Sequence, residues 1–330
     1  MTNVVKYIKQ LKGPVAVLGA GGFIGVNLLS LLNKHRDDVI GVSQNPKTNW
    51  RLNQVKIPTK KLIKRDITDY TQVRDFISDI KPNTIFNLAA YGAYSSQKQY
   101  KKIYNTNFNA AIDIIEVAKD YKLAAYVHAG SSSEYGTNSN QPGEKDELFP
   151  NSHYAVSKVA SSYAIKYYGE IEKLPVVNLR VYSAYGPWEE PDRLIPTLVS
   201  MARKGEWPQF VNPQISRDFV YVDDICEAFI MAAASIRSTM GNSYNIGSGK
   251  NTTIKSLAET TQTLFGISKK PRFGTMHNRE WDLPSWYANP SKAEKELFWK
   301  AKTTLEEGLK CVALWQEEVQ YDNAYWNYTK

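Results

Sequence analysis

Two hydrophobic periods alternate through the first half of the chain. Residues 14–19, 38–43, 61–65, 84–90, 124–130 and 176–182 are short runs dominated by apolar, largely β-branched side chains, the pattern of strands covered on both faces. Between them, residues 22–33, 71–80, 99–119 and 153–171 carry apolar positions three and four apart, which predicts helices. Strands alternating with helices predict an α/β fold: a doubly wound, Rossmann-like parallel sheet with helices on both faces. After Gly186-Pro187 the pattern shortens, with helices predicted at 195–204, 224–235 and 254–265 among short strands and Pro/Gly-bearing loops. The expected division is therefore a first domain over 1–187 and a smaller mixed α/β lobe made mainly from 188–330. A segment around 211–247 is expected to return to the first domain.

Composition narrows the class. Of 330 residues, 42% are apolar and 22% charged, enough apolar surface for a core and too much for a disordered chain. The first residues carry no apolar leader, and no stretch reaches the roughly 20 apolar residues of a membrane span. The richest, 15–32, is interrupted by glycines, Asn27 and Ser30. Cys226 and Cys311 lie far apart, so neither a disulfide framework nor a cysteine-held metal is expected, and a reducing cytoplasm is the default. The net charge of +8 reads either as a solvated basic surface or as attraction for an anionic small molecule. The densest basic run, 56–65, is broken by Ile57, Pro58, Leu62 and Ile63, so no nucleic-acid site is expected.

The chemistry begins at Gly19-Ala-Gly-Gly22-Phe23-Ile24-Gly25, between the first strand and the first helix. Gly19 permits the tight turn, Gly22 admits a pyrophosphate close to the backbone, and Gly25 lets helix and sheet approach. The helix N-terminus then presents N–H groups and a positive dipole end to phosphates. The end of the second strand, where a carboxylate would hold an adenosine ribose and repel a 2′-phosphate, carries Ser43. An NAD(P) cofactor follows, leaning to NADP, with Lys47 or Arg51 as cationic partners. Asp66-Ile67 is placed to meet the adenine, while Asp66 reads equally well as a turn cap.

Tyr154 and Lys158 stand four residues apart at the start of a predicted helix, on one face. A nearby ammonium favours phenolate, so the lysine is expected to lower the tyrosine pKa. Upstream, at the C-terminal edge of the fifth strand where open α/β sheets bind ligands, stands Ser131-Ser132-Ser133-Glu134-Tyr135-Gly136. A hydroxyl there can share a proton with Tyr154, whereas serine and glycine alone are also ordinary turn residues.

With these motifs, together with Asn87-Leu-Ala-Ala90, Thr106-Asn107, Tyr185-Gly-Pro187, residues 217–224 and residues 244–249, the chain resembles the extended short-chain dehydrogenase/reductase family of NAD(P)-dependent nucleotide-sugar epimerases, dehydratases and reductases. The resemblance implies Ser132 (with Ser131 as the other candidate), Tyr154 and Lys158 as the catalytic set, and Ala89, Ala90 and Asn107 beside the cofactor. It also implies a nucleotide-sugar substrate met by Arg193, Arg217 and Arg279 at its phosphates, since guanidiniums pair bidentately with phosphate oxygens. Tyr91, Ser133 and Ser183 are expected near the sugar; many members carry Asn where this chain has Ser183. Trp281, Trp286 and Trp299 read as lobe core. The expected reaction is hydride transfer at sugar C4, by a 4-keto reductase or a 4-epimerase. The alternatives are a 4,6-dehydratase using Glu134 as base and, in another class, a non-catalytic dinucleotide-binding regulator. By family analogy a homodimer through helices 99–119 and 153–171 is expected.

Overall fold

The computed structural model describes residues 4–94, 96–276 and 283–320. In chain order the elements of the first part are α1 (Val4–Gln10), β1 (Val15–Leu18), α2 (Phe23–Asn33), β2 (Val39–Ser43), α3 (Trp50–Gln54), β3 (Leu62–Lys64), α4 (Tyr70–Ile80), β4 (Thr84–Asn87), α5 (Tyr100–Tyr104), α6 (Ala110–Ala118), β5 (Ala125–Ser131), α7 (His153–Glu170) and β6 (Val176–Val181). Then follow β7 (Ser183–Tyr185), α8 (Leu194–Ala202), β8 (Ser216–Arg217), β9 (Phe219–Tyr221), α9 (Val222–Ala234), α10 (Ile236–Thr239), β10 (Ser243–Ile246), β11 (Thr252–Thr253), α11 (Ile254–Phe265) and α12 (Leu305–Gln320).

Seven strands form one parallel sheet in the order β10-β6-β5-β4-β1-β2-β3. Every residue of β1, β4, β5 and β6 is buried, as their unbroken apolar runs require, whereas the edge strand β3 is only part-covered. One face packs α1, α2 and α9 around Val17, Leu29, Val127 and Phe229. The other packs α4, α6 and α7 around Leu18, Phe76, Ile114 and Ile165. Strand order reverses between β1 and β4, which opens a crevice at their carboxyl ends.

The chain re-enters this body after leaving it. Segment 222–246 returns α9 to one face of the sheet and adds β10 beside β6. The second lobe gathers α8, α11 and α12 around Leu198, Phe210, Leu257, Leu309 and Val312. Two small pairings, β7 with β9 and β11 with β8, join lobe to sheet. Buried Asp218 ties them together, its carboxylate accepting from Ser248 N (2.7 Å), Gly249 N (2.9 Å) and Ala288 N (3.0 Å). Among the described residues no helix is long and apolar enough to cross a membrane, and both cysteines are free thiols.

The single helix predicted over 99–119 is divided by a wide turn at 105–109, where the ladder takes one extra residue per turn. That turn rotates Asn107 into the interior, where it is fully buried.

Candidate active site

The crevice between sheet and lobe is a cleft of about 1520 Å³. Its floor begins at the turn from β1 into α2. Gly19 has φ +76°, and a Cβ there would lie 2.7 Å from Ala89 N, while a Cβ on Gly25 would lie 2.1 Å from Gly19 O. Side chains at these two positions would therefore push β1, α2 and the β4 exit apart. Gly22 is the N-cap and has no side chain to bond the first-turn N–H groups, which leaves them for an anion. A cradle of this shape fits a dinucleotide pyrophosphate. Phe23, Ile24, Ser43, Ile67, Ala89, Ala90, Lys158 and Tyr154 all line the same cleft.

At the ribose end the geometry revises three expectations. Arg51 is buried, with Nε donating to Trp188 O (2.6 Å) and its guanidinium paired with Glu190, so it is committed to the fold rather than to a ribose phosphate. Lys47 is exposed and outside the cleft lining. Asn107 is not in the wall either: it accepts from Tyr91 N (2.9 Å) and donates to Tyr91 O (2.8 Å) and Ser157 Oγ (2.9 Å). It is a brace that pins the β4 exit loop to α7. Asp66 takes the turn-cap role, accepting from Thr68 N (2.9 Å) and Thr68 Oγ1 (2.7 Å). Partial burial raises its pKa, but the Thr68 and Gln44 bonds and the Lys102 charge outweigh this and hold it below the ordinary value. It faces a smaller adjoining cavity of about 820 Å³, shared with Gln44, Asn45, Lys64 and Lys102. Arg65 and Lys102 are the basic groups that reach the main cleft near Ser43.

The reacting end is set by β5 and α7. Ser152 caps α7 by accepting from Ala155 N (3.2 Å), and the helix begins at His153, which puts Tyr154 in its first turn. One turn on, Lys158 is buried and donates to Ala129 O of β5 at 2.7 Å. Ser131, the last residue of β5, is the hydroxyl that acts on the Tyr154 phenol, lowering its pKa. Ser132 also lines the cleft, but its hydroxyl accepts from the Trp286 indole at 3.0 Å. Both candidate serines thus line the cleft, and Ser131 is the one whose side chain acts on Tyr154. Beyond Ser131 the chain turns through a capping box, Ser131 Oγ accepting from Ser133 N (3.1 Å) and Glu134 accepting from Ser131 N (3.0 Å). This register fixes which serine acts on the tyrosine.

The same turn removes Glu134 from the chemistry. Its carboxylate is wholly buried beneath Ser131, bonded by Arg180 Nε at 2.7 Å, and is absent from the cleft lining. A C5 base must touch the sugar, so the expectation of Glu134 as a dehydratase base is corrected too.

Electrostatics reverses another expectation. Burial pushes Tyr154 up to about 12; the Ser131 hydroxyl lowers it, but not enough to offset the loss of water. Burial also brings Lys158 down to about 8, against the opposing pull of Glu134. Burial thus keeps Tyr154 a phenol, and the neighbouring ammonium does not make it a phenolate.

The lobe side of the cleft carries Ser183, Arg193, Arg217 and Trp286, and the sheet side Tyr91, Tyr94 and Ser133. Arg193 lies over the Tyr94 ring (5.3 Å) and Arg217 over the Trp286 ring (5.2 Å). Trp286 is core and wall at once, while Trp299 is core only, its indole donating to Asp224 O at 2.7 Å. Arg279 and Trp281 lie outside the described residues. The segment after the fourth strand that holds Tyr91 and Tyr94 reads equally as sugar pocket or loop packing in the sequence, whereas no motif pointed to Glu189, a buried carboxyl in the cleft wall. A glutamate placed just after Tyr-Gly-Pro-Trp, beside a strand end, was the available signal.

Comparison with known proteins fits this geometry. The profile of the NAD dependent epimerase/dehydratase family matches residues 15–247. The chain belongs to that family. A curated relative, the UDP-glucuronate 4-epimerase of Thermodesulfobacterium geofontis, is 28% identical over 319 residues, spanning 93% of this chain and 97% of that protein. Among solved structures, MoeE5 in complex with UDP-glucose and NAD is 30% identical with a TM-score of 0.78, covering 93% of this chain and 100% of that one. The dTDP-glucose 4,6-dehydratase of Bacillus anthracis in complex with NAD is 26% identical with a TM-score of 0.81, covering 96% and 99%. This epimerase/dehydratase chain thus shares both lobes with its relatives, not the nucleotide half alone.

Proposed function

We propose that the protein is a nucleotide-sugar 4-epimerase with NAD(P) held in the glycine cradle. The carrying observation is that Ser131, Tyr154 and Lys158 line one cleft with the glycine cradle and the lobe wall, Lys158 being buried and bonded to Ala129 O. A bound nicotinamide dinucleotide supplies the hydride acceptor and donor that inversion at C4 needs. Ser131 and Tyr154 form the proton path for the C4 hydroxyl, and Trp286 and Arg217 close the lobe side. Burial holds Tyr154 as a phenol near neutrality, while the buried Lys158 ammonium stands one helical turn away in the same cleft.

The relatives' UDP-glucose and UDP-glucuronate, and the NAD bound to MoeE5, support this reading. Against a dehydratase stands Glu134, locked to Arg180. At the ribose end Ser43 brings no carboxylate, and Arg65 and Lys102 line the cleft nearby, so a 2′-phosphate is tolerated and NADP binds as well as NAD. We also infer a homodimer through α5–α6 and α7, whose outward face exposes Val156, Tyr163, Tyr167 and Ile171.

The test incubates holoenzyme with UDP-, dTDP-, GDP- and CDP-glucose and follows the C4 proton by NMR. Appearance of the galacto isomer without net change in reduced cofactor is expected. A stable 4-keto product, or stoichiometric loss of reduced cofactor with a 4-keto sugar, would replace the epimerase reading with a dehydratase or a reductase.

A further inference from the structure

Resting on the nucleotide-sugar reading, a second carboxyl in the cleft addresses which sugars enter. Glu189, in the loop between β7 and α8, is 5% exposed and lines the cleft with Tyr94, Ser131, Tyr154, Ser183 and Arg193. Its Oε1 lies 3.7 Å from Arg193 Nε, and its Oε2, buried, has no hydrogen-bond partner. A buried carboxyl oxygen left unbonded is costly, and proteins seldom keep one without use.

Its surroundings place this oxygen at the sugar end. The Arg193 charge acts on Tyr154, and Glu189, Arg193, Arg51 and Asp192 all act on Tyr94, so these groups share one neighbourhood with the reacting phenol. Arg193 is held between Glu189 and the Tyr94 ring, and Arg51 is paired with Glu190 and bonded to Trp188 O. The loop between β7 and α8 brings three acidic side chains to the cleft, Glu189, Glu190 and Asp192, with Arg193 as its one basic side chain there.

We propose that Glu189 determines sugar specificity, its Oε2 accepting a hydroxyl of an uncharged hexosyl group and its carboxyl excluding a hexuronate. A sugar carboxylate brought to this wall would lose its water next to another carboxyl. A neutral hexose supplies the missing donor instead. The chain would then differ in substrate from the UDP-glucuronate 4-epimerases it is similar to.

Burial pushes the Glu189 carboxyl up to about 8, with the Arg193 and Arg51 charges opposing and Asp192 reinforcing. Near neutrality it holds a proton and only withholds a cation; above pH 8 it is an anion and repels. Tyr94, Glu190, Asp192, Arg51 and Arg193 face it, and burial keeps the Tyr94 phenol neutral across this range. Discrimination therefore strengthens as pH rises from 6.5 to 9.

The test titrates holoenzyme with glucose and glucuronate carried on the same nucleotide, for uridine, thymidine, guanosine and cytidine diphosphates, using calorimetry. On the nucleotide that binds, the glucose form is expected to bind at least 100-fold tighter at pH 8.5. Glu189→Gln and Glu189→Ser, each checked by unchanged cofactor affinity, are expected to cut that ratio below tenfold, mainly by improving glucuronate binding. Equal or tighter glucuronate binding by the natural protein overturns the proposal and leaves the epimerase reading standing. A ratio unchanged in both variants removes Glu189 from specificity. Cofactor binding with no nucleotide sugar bound on any base overturns the nucleotide-sugar reading, and this proposal with it.

Discussion

Replacing Lys158 with methionine separates what the residue does for chemistry from what it does to the fold. The ammonium sits 1% exposed behind Tyr154, with its pKa brought from 10.5 to about 8 chiefly by loss of water. A folded pKa below the unfolded one means that the unfolded chain binds more protons between about 8 and 10.5, so stability rises with pH across that window. Below it the destabilisation is fully present, at about 3 kcal/mol for pH 7. Methionine fills the volume without a charge but gives up the 2.7 Å bond to Ala129 O. An unbonded buried carbonyl costs about 1–2 kcal/mol, leaving Lys158→Met ahead by about 1–2 kcal/mol at pH 7. For a chain of 330 residues the unfolding entropy is about 0.7 kcal/mol per kelvin, so the melting temperature should rise by about 2 °C. At pH 9.5 the charge effect falls by about 2 kcal/mol, and the advantage should vanish. Thermal melts of the cofactor-free proteins at both pH values check this, and turnover should be lost throughout. A variant destabilised equally at pH 7 and pH 9.5 would show that no depressed lysine titrates there.

Further outcomes follow from the same geometry. Ser131→Ala should lower turnover by about 10²-fold or more, whereas Ser132→Ala should cost less than about tenfold, because Ser131 acts on Tyr154 while the Ser132 hydroxyl is engaged by the Trp286 indole; steady-state kinetics of the pair decides between the two serines. Glu134→Gln should destabilise the protein by about 3 kcal/mol, since Arg180 loses its buried partner, while the variant's folded fraction keeps turnover within a few-fold; melting and active-site-normalised rates check this. Ser43→Asp should shift the NAD-to-NADP affinity ratio by tenfold or more towards NAD, about 1.4 kcal/mol, as read by cofactor titration.

Much of the fold could be read from the chain. The six apolar runs became strands because burial on both faces demands unbroken apolar blocks, and Ile254–Phe265 is a helix over the span its periodicity predicts. Less visible were α1 and α12, which lie outside the alternating half, and α12 interrupts its apolar stripe with Gly308 and the buried Gln316. The glycine cradle, Tyr154 and Lys158 were legible because spacing alone sets them on one turn or one helix face. Ser131 against Ser132 was not, because the choice depends on a capping box that rotates the chain by one residue. Glu134 misled for a related reason: its partner Arg180 comes from the neighbouring strand, 46 positions away, a pairing that only the sheet register creates. The tyrosine's basicity was misjudged because proximity to an ammonium is written in the sequence, whereas the loss of water that outweighs it comes from burial in the folded chain.

The most direct measurement of the central claim follows a nucleotide-glucose bearing deuterium at C4 through its conversion by the holoenzyme in ordinary water. Inversion at C4 by hydride removal and return predicts a galacto product that keeps its deuterium at C4, with Tyr154→Phe slowing the conversion by orders of magnitude. Product that has exchanged its C4 deuterium for solvent hydrogen, or a Tyr154→Phe variant that converts as fast as the natural chain, would contradict it.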